Sequence, residues 1–227
     1  MSDANSILIL STCTATKAAD RGDRSVPAED LYAGQQHRRL MRGISAYRDA
    51  GQPCGPLDLQ ILSAGHGVIA GDMPLRGYDA TFMGMPRARL RRRASRLGVP
   101  KAVASLLAQP RRLAVLLLGS DYLYAAQLQP APVLGASTLI FTSPGTAKRL
   151  PDTPLLHPVA LDNRDAQRFS CSLVALKGEL VARLLVRLAA HPEMAMPLDR
   201  AGLLAWLQED SGAGAVRRHP HDLAKAA

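Results

Sequence analysis

The chain has 227 residues, 47% of them hydrophobic, and 28 basic residues against 19 acidic ones, for a formal charge of +9 and a pI near 10.0. That length suits one domain, or one domain with a small appendage, with apolar residues ample for a core. Aromatic residues make up only 4% of the chain, too few for the base-stacking platform of a single-strand-binding protein.

No apolar run reaches bilayer-spanning length, so no membrane partner is expected. The opening Met1-Ser-Asp-Ala-Asn5 lacks a basic region followed by an apolar segment, so nothing reads as a secretory signal. Cys13, Cys54 and Cys171 are odd in number and widely spaced, which argues against a disulfide framework and against a zinc knuckle. A cytoplasmic protein with no cofactor and no metal is expected. The basic excess points to an anionic partner, nucleic acid first, although a genome rich in Arg and Ala produces the same drift.

Ile7-Leu-Ile-Leu10 is a continuous apolar run, the pattern of a central strand covered on both faces. It ends in Ser11-Thr-Cys-Thr-Ala-Thr-Lys17, where hydroxyls, exposed amides and Lys17 suit an anion. The glycines of a Walker loop are missing. Asp20 to Pro27 is charged and turn-like, and Ala28 to Tyr32 leads into a helix whose Leu40, Ile44 and Tyr47 form one buried stripe. Arg38, Arg39 and Arg42 lie off that stripe and are expected to face solvent or a phosphate.

After the break at Gln52 to Pro56, Leu59 to Leu62 reads as a buried strand. It gives way to Ser63, Gly65, His66 and Gly67, and the chain reaches Tyr78 and Asp79 after further glycines and a proline. Glycines permit positive φ and close approach of a ligand. An α/β protein places its chemistry just past the carboxyl ends of strands. Ser63, His66, Tyr78 and Asp79 are therefore the leading candidate site.

Met85 to Leu97 is the clearest amphipathic helix, with Leu90, Ala94 and Leu97 as its apolar line. Arg87, Arg89, Arg92, Arg93 and Arg96, with Arg91 beside them, crowd the rest of it, and the helix holds no acid. Like charges at i and i+4 destabilise an isolated helix; phosphates would compensate, and a solvated face near scattered carboxylates is the alternative. Lys101 to Leu107 continues helically. Leu113 to Leu118 is another fully apolar strand, ending in Gly119-Ser-Asp-Tyr122, and Ser137 to Phe141 is a further short strand.

Strands alternating with helical stretches give an α/β fold with a mostly parallel central sheet flanked by helices. Asp165 to Ala190, with leucines at helical spacing, reads as one long core helix; a short helix holding Trp206 follows Pro192 and Pro197. The expected organisation is an α/β core over 1–160, a helical C-terminal segment over 161–210, and a flexible basic tail over 211–227. Arg217, Arg218, His219 and His221 in that tail are placed to touch nucleic acid non-specifically.

With these residues laid out, the chain resembles a family of bacterial proteins related to the YaaA peroxide-stress proteins. The resemblance rests on Ser11 to Lys17, Pro27-Ala-Glu-Asp-Leu-Tyr32, Ile61-Leu-Ser-Ala-Gly-His-Gly67, Gly77-Tyr-Asp79 and the Gly-x-x-Tyr element at Gly119 to Tyr122. It covers roughly residues 7–128 and implies a fold akin to the uracil-DNA glycosylase superfamily, with a link to DNA protection or nucleobase chemistry. The acid-bearing loop that follows the first strand in uracil-DNA glycosylases is replaced here by hydroxyls and Lys17.

Cleaving a base from its sugar passes through an oxocarbenium-like centre. It needs a carboxylate, a donor to the departing base and a pocket for the extruded nucleotide. Asp79 is the first choice for the carboxylate and Asp121 the second. His66, able to change charge near neutral pH, is the donor. Tyr78 or Tyr32 would stack on the base, Ser63 and Tyr122 line the pocket, and Lys17, Thr14 and Thr16 grip phosphate. An attack by Lys17 on the sugar would instead form a Schiff base and nick the strand.

Simpler roles stay open: Asp79 as a helix cap, and His66 as a partner of a backbone carbonyl. A hydrolase triad of Ser63, His66 and an Asp lacks the Gly-x-Ser-x-Gly elbow. A metal site of His66, Asp79 and Asp121 lacks ligand spacing. The expected function is a DNA glycosylase-like enzyme that binds duplex DNA and excises a modified or damaged base, in genome defence or repair. A non-enzymatic DNA-binding stress protein, and an enzyme of nucleotide, nucleoside or tRNA base chemistry, are the alternatives.

Overall fold

The apolar run after the N-terminus forms β1 (Ile7–Thr12), and Ile7 to Leu10 are completely buried. The computed structural model describes residues 4–14 and 24–209, so Thr16, Lys17 and the tail over 211–227 lie outside the described residues. After β1 come β2 (Val26–Pro27), α1 (Ala28–Leu31), α2 (Gln35–Asp49), β3 (Leu57–Ser63), β4 (Gly67–Ala70) and β5 (Pro74–Leu75). Next are α3 (Arg87–Arg96), α4 (Val99–Leu107), β6 (Leu113–Leu116), α5 (Ser120–Ala126), β7 (Thr138–Thr142), α6 (Pro144–Ala147) and β8 (Leu156–Ala160). Three helices end the described chain: α7 (Asn163–Arg168), α8 (Leu173–Ala190) and α9 (Arg200–Gln208).

Six strands form one sheet in the order β4-β3-β1-β6-β7-β8, and β2 pairs with β5 in a small antiparallel ribbon. Every pairing in the large sheet is parallel except β3 with β4. The carboxyl ends of β3, β1, β6, β7 and β8 therefore share one edge of the sheet. From β1 the chain moves to β3 on one side, and then crosses to build β6, β7 and β8 on the other. The order reverses between β1 and β6, and such a reversal opens a crevice at the carboxyl ends.

The helices pack in two groups, α2 with α8 and its neighbours α7 and α9, and α3 with α4 and α5. Both faces of β1 and β6 are buried, so the sheet is the middle of three layers. Among the described residues no helix is long and apolar enough to cross a membrane.

The long helix expected over 165–190 is two helices. Ser170 turns the chain at φ 50°, and the Ser172 side chain accepts the Ala175 amide to start α8 afresh. Asp162 and Asp165 form a reciprocal capping box on α7. The strand β4 is a return hairpin too short to signal itself, and β8 carries a proline, which weakens its reading as a strand.

The two long helices α2 and α8 meet backbone to backbone. A Cβ on Gly43 would lie 2.3 Å from Ala182 Cα, and one on Gly178 would lie 2.0 Å from the Gln36 carbonyl oxygen. Overpacking such a contact costs about 1–3 kcal/mol, which exceeds the roughly 1 kcal/mol that alanine gains over glycine in a helix. Gly43→Ala and Gly178→Ala are therefore expected to lower the Tm by several degrees, at about 2–4 °C per kcal/mol for a chain of this size. Gly145→Ala in α6, where an added Cβ meets nothing within 4 Å, should leave the Tm unchanged or raise it. Calorimetry on the three variants checks the contact, and an unshifted Gly43→Ala transition would refute it.

Candidate functional site

The crevice at the strand-order reversal is a cleft of about 560 Å³ between the ends of β1 and β6. Thr14, Gln36, Asp121, Tyr122, Ser172 and Lys177 line it, with Cys13 beside them. Each layer contributes: β1 runs into Cys13 and Thr14, α5 carries Asp121 and Tyr122, and α2 and α8 supply Gln36 and Lys177. The carbonyls just beyond β6 are satisfied by side chains from that helical layer. Gln36 Nε2 donates to Leu117 O at 3.3 Å and Lys177 Nζ to Leu118 O at 2.8 Å. Burial pushes the Lys177 ammonium down to a pKa of about 8, since losing water penalises the charged form.

Behind the cleft lies a hydroxyl network. The Tyr78 hydroxyl is hydrogen-bonded to Tyr32 and to Ser63, both at 2.6 Å. Ser63 Oγ also accepts the amides of Gly65 and His66 at 3.1 Å each. Two amides occupy the lone pairs of that oxygen, so its own proton points to Tyr78. Next to this group the Cys13 thiol and the Tyr122 hydroxyl are hydrogen-bonded at 3.1 Å. Burial, with Cys13 adding to it, pushes the Tyr78 and Tyr122 phenols well above the ordinary tyrosine range. Burial likewise raises Tyr32.

The glycines of the Ser63 to Gly67 stretch have a structural use. Gly67 sits at φ +78° in the hairpin turn between β3 and β4. A Cβ on Gly65 would lie 2.8 Å from the Tyr78 ring, so the group that approaches this glycine is Tyr78. His66 is exposed and packs its ring edge-to-face on Tyr78, with centroids 4.7 Å apart.

Among the expected site residues, Thr14, Asp121 and Tyr122 line the cleft, while Tyr32, Ser63 and Tyr78 form the network behind it. Tyr32 is only 3% exposed, placed as a packing and hydroxyl-bonding group. His66 stands at the hairpin tip. Asp79 is exposed on the segment joining β5 to α3, outside the cleft lining. No helix begins near it, since α3 starts at Arg87 after an N-cap at Pro86. Asp121 accepts the Gly84 amide at 3.1 Å and pairs with Arg87 at 3.5 Å, which ties the start of α3 to the cleft rim.

The arginines divide. Arg87 lies over the Tyr124 ring, and Arg93 donates to the Ala64 carbonyl at 2.7 Å. Arg39 is turned inward on Glu179 of α8, with Arg42 and Arg183 at the same carboxylate. Burial raises the Glu179 carboxyl, and the guanidiniums of Arg183 and Arg39 outweigh it, holding it below the usual range. Arg38, Arg89, Arg92 and Arg96 are exposed and form no ion pair among the described residues. Beside the main cleft a second cavity of about 410 Å³ is lined by Arg87, Arg91, Tyr124, Thr146 and Arg149, and shares Ser120 with it.

Cys13, Gln36, Ser172 and Lys177 were not among the expected site residues. Cys13 is hidden among hydroxyls, and Lys177 breaks a leucine-rich helix where it looks like a solvent-facing charge. The one signal is its neighbour Gly178, unfavourable in mid-helix by about 1 kcal/mol unless something packs close. Among the described residues no cluster of His, Cys, Asp and Glu is arranged to hold a metal ion. No protein-family model, curated protein or solved structure matches the chain.

Four of the five tyrosines, Tyr32, Tyr47, Tyr78 and Tyr122, have raised pKa values. A raised folded-state pKa contributes stability that is fully present below the ordinary phenol pKa of about 10 and is lost as pH rises through the folded value. The native protein should therefore hold most of its tyrosinate absorbance back above pH 10, and release it together with unfolding. Ultraviolet titration followed beside circular dichroism checks this; full ionisation in a still-folded protein would refute the network.

Proposed function

We propose that the cleft between β1 and β6 is the active site of a DNA glycosylase-like enzyme, with Asp121 as its carboxylate. The observation that carries this reading is the junction of cleft and basic helix. Asp121 faces the cleft and is held by Gly84 and Arg87 at the start of α3, and Arg89, Arg92 and Arg96 stand exposed along the same helix. Phosphates docked on those guanidiniums would place a neighbouring nucleotide at the cleft mouth. A cleft of about 560 Å³ is within the size range of small-ligand pockets, and an extruded nucleotide is a small ligand.

The chemistry follows from the groups present. As the bond between base and sugar breaks, positive charge builds on the sugar, and the Asp121 carboxylate would stabilise it or activate water. Thr14, Gln36 and Ser172 supply hydrogen-bonding groups for the base edge or phosphate. The resemblance to the YaaA-related family, with its link to uracil-DNA glycosylase-like folds, supports the same reading, as does the net charge of +9. Asp79, exposed and outside the lining, yields the carboxylate role to Asp121.

A second reading is an enzyme on free nucleotides or nucleosides, favoured by the cleft's position at a strand-order reversal, where α/β proteins bind mononucleotides. The two separate on duplex DNA. Incubation with duplexes carrying a panel of modified bases, scored by alkaline cleavage at abasic sites, should yield product that Asp121→Asn abolishes and Asp79→Asn retains. Duplex binding by Asp121→Asn should persist. Replacing Arg89, Arg92 and Arg96 with Ala should flatten the slope of log affinity against log salt by about 2.7, at roughly 0.9 per phosphate contact. An unchanged slope, or product surviving in Asp121→Asn, would overturn the assignment.

A further inference from the structure

The cleft holds an amine that base excision alone does not use. Lys177 reaches it from α8, a helix that follows the last strand, because Gly178 and Gly43 let α8 lie directly against α2. Its Nζ is anchored on the Leu118 carbonyl at 2.8 Å, and it forms no ion pair among the described residues. An amine held by a neutral oxygen, without a carboxylate to keep it charged, is suited to act as a nucleophile once desolvated. Among the described residues, Cys13, Asp121 and Tyr122 are the other titratable groups lining the cleft.

We propose that Lys177 is a covalent nucleophile that forms an imine with the aldehyde of an abasic deoxyribose, which makes the protein a strand-nicking lyase as well as a glycosylase. This rests on the reading of the cleft as a base-excision site. The neutral amine adds to C1′ of the ring-opened sugar to give a carbinolamine. That species takes up a proton and expels water, leaving a protonated imine. A base in the cleft, with the Asp121 carboxylate in its lining, removes a C2′ proton. The C–H pair becomes the C2′–C3′ double bond while the C3′–O bond breaks, and the phosphate on C3′ leaves with that bonding pair. Water then hydrolyses the imine and returns the amine. No oxidant or reductant is consumed.

The burial that lowers the Lys177 pKa to about 8 leaves part of the amine neutral near physiological pH, which attack requires. The test uses the full chain and a duplex oligonucleotide carrying one preformed abasic site, with borohydride to reduce any imine to a stable amine. One protein–DNA adduct is expected, mapped by peptide mass to Lys177, with a yield rising through a midpoint near pH 8. It should fall at least about tenfold in Lys177→Arg, which keeps the charge without the imine chemistry.

An adduct mapped to other lysines in the wild-type protein, or no adduct at all, overturns the proposal without relying on any variant. Release of free base from modified-base duplexes is measured in parallel. Base release by the wild-type protein together with an adduct at Lys177 supports both readings. Base release without an adduct at Lys177 removes only the lyase. An adduct at Lys177 without base release on any modified duplex removes only the glycosylase step.

Discussion

The arrangement of this protein depends on how closely α8 lies against α2. Helices with ordinary side chains between them keep their axes about 8–10 Å apart, and here Gly43 faces Ala182 while Gly178 faces the Gln36 carbonyl with no room for a methyl group. Each mid-helix glycine sacrifices about 1 kcal/mol of helix propensity, so the close approach is held by packing. It delivers Gln36 and Lys177 together to the carbonyls just beyond β6. Those carbonyls lie past the end of the sheet ladder, and a buried carbonyl without a donor is costly. The same contact that closes the helical layer thus furnishes one wall of the cleft.

The network behind the cleft is stiff for a different reason. Tyr78 is clamped from three sides, by the Tyr32 hydroxyl, by the Ser63 hydroxyl and by the backbone of Gly65 against its ring. Ser63 is in turn fixed by the amides of the hairpin it begins. Buried hydroxyls with all partners present rigidify what they touch, and this group joins the end of β3 to the segments carrying Tyr32 and Tyr78. Below it, His37 is hydrogen-bonded to the Glu29 carbonyl at 2.7 Å and packs edge-on to Tyr32. Burial holds that imidazole below its ordinary pKa, toward the neutral form.

Charge is distributed by tertiary need as much as by any partner. Glu179 is shared by Arg39, Arg42 and Arg183 across the α2–α8 contact, and Asp121 binds α3 to α5 through Arg87. Arg187 runs beneath the Trp206 ring and on to Glu209, fastening α9 to α8. On α3, Arg89, Arg92 and Arg96 stay exposed and form no ion pair among the described residues.

Much of the fold was legible in the sequence by itself, because the signals are local. Four strands (Ile7 to Leu10, Leu59 to Leu62, Leu113 onward and Thr138 onward) announce themselves as short, mainly apolar runs, and the 3.6-residue stripes of α2, α3 and α8 need no tertiary contact to be seen. Their alternation determined an α/β architecture with a mostly parallel sheet. The candidate site was half legible. Ser63, Tyr78, Asp121 and Tyr122 stand out as polar groups just past strands, and sequence ranked Asp79 ahead of Asp121 as the carboxylate, although both follow glycine-containing breaks. Their positions relative to the cleft came only from the strand order, which opens it between β1 and β6, where Asp121 lies and Asp79 does not. Lys177 and the inward turn of Arg39 were tertiary facts as well. A lysine in a leucine-rich helix and an arginine off an apolar stripe look solvated until another helix, some 140 residues away in the Arg39–Glu179 pair, arrives to bury or neutralise them.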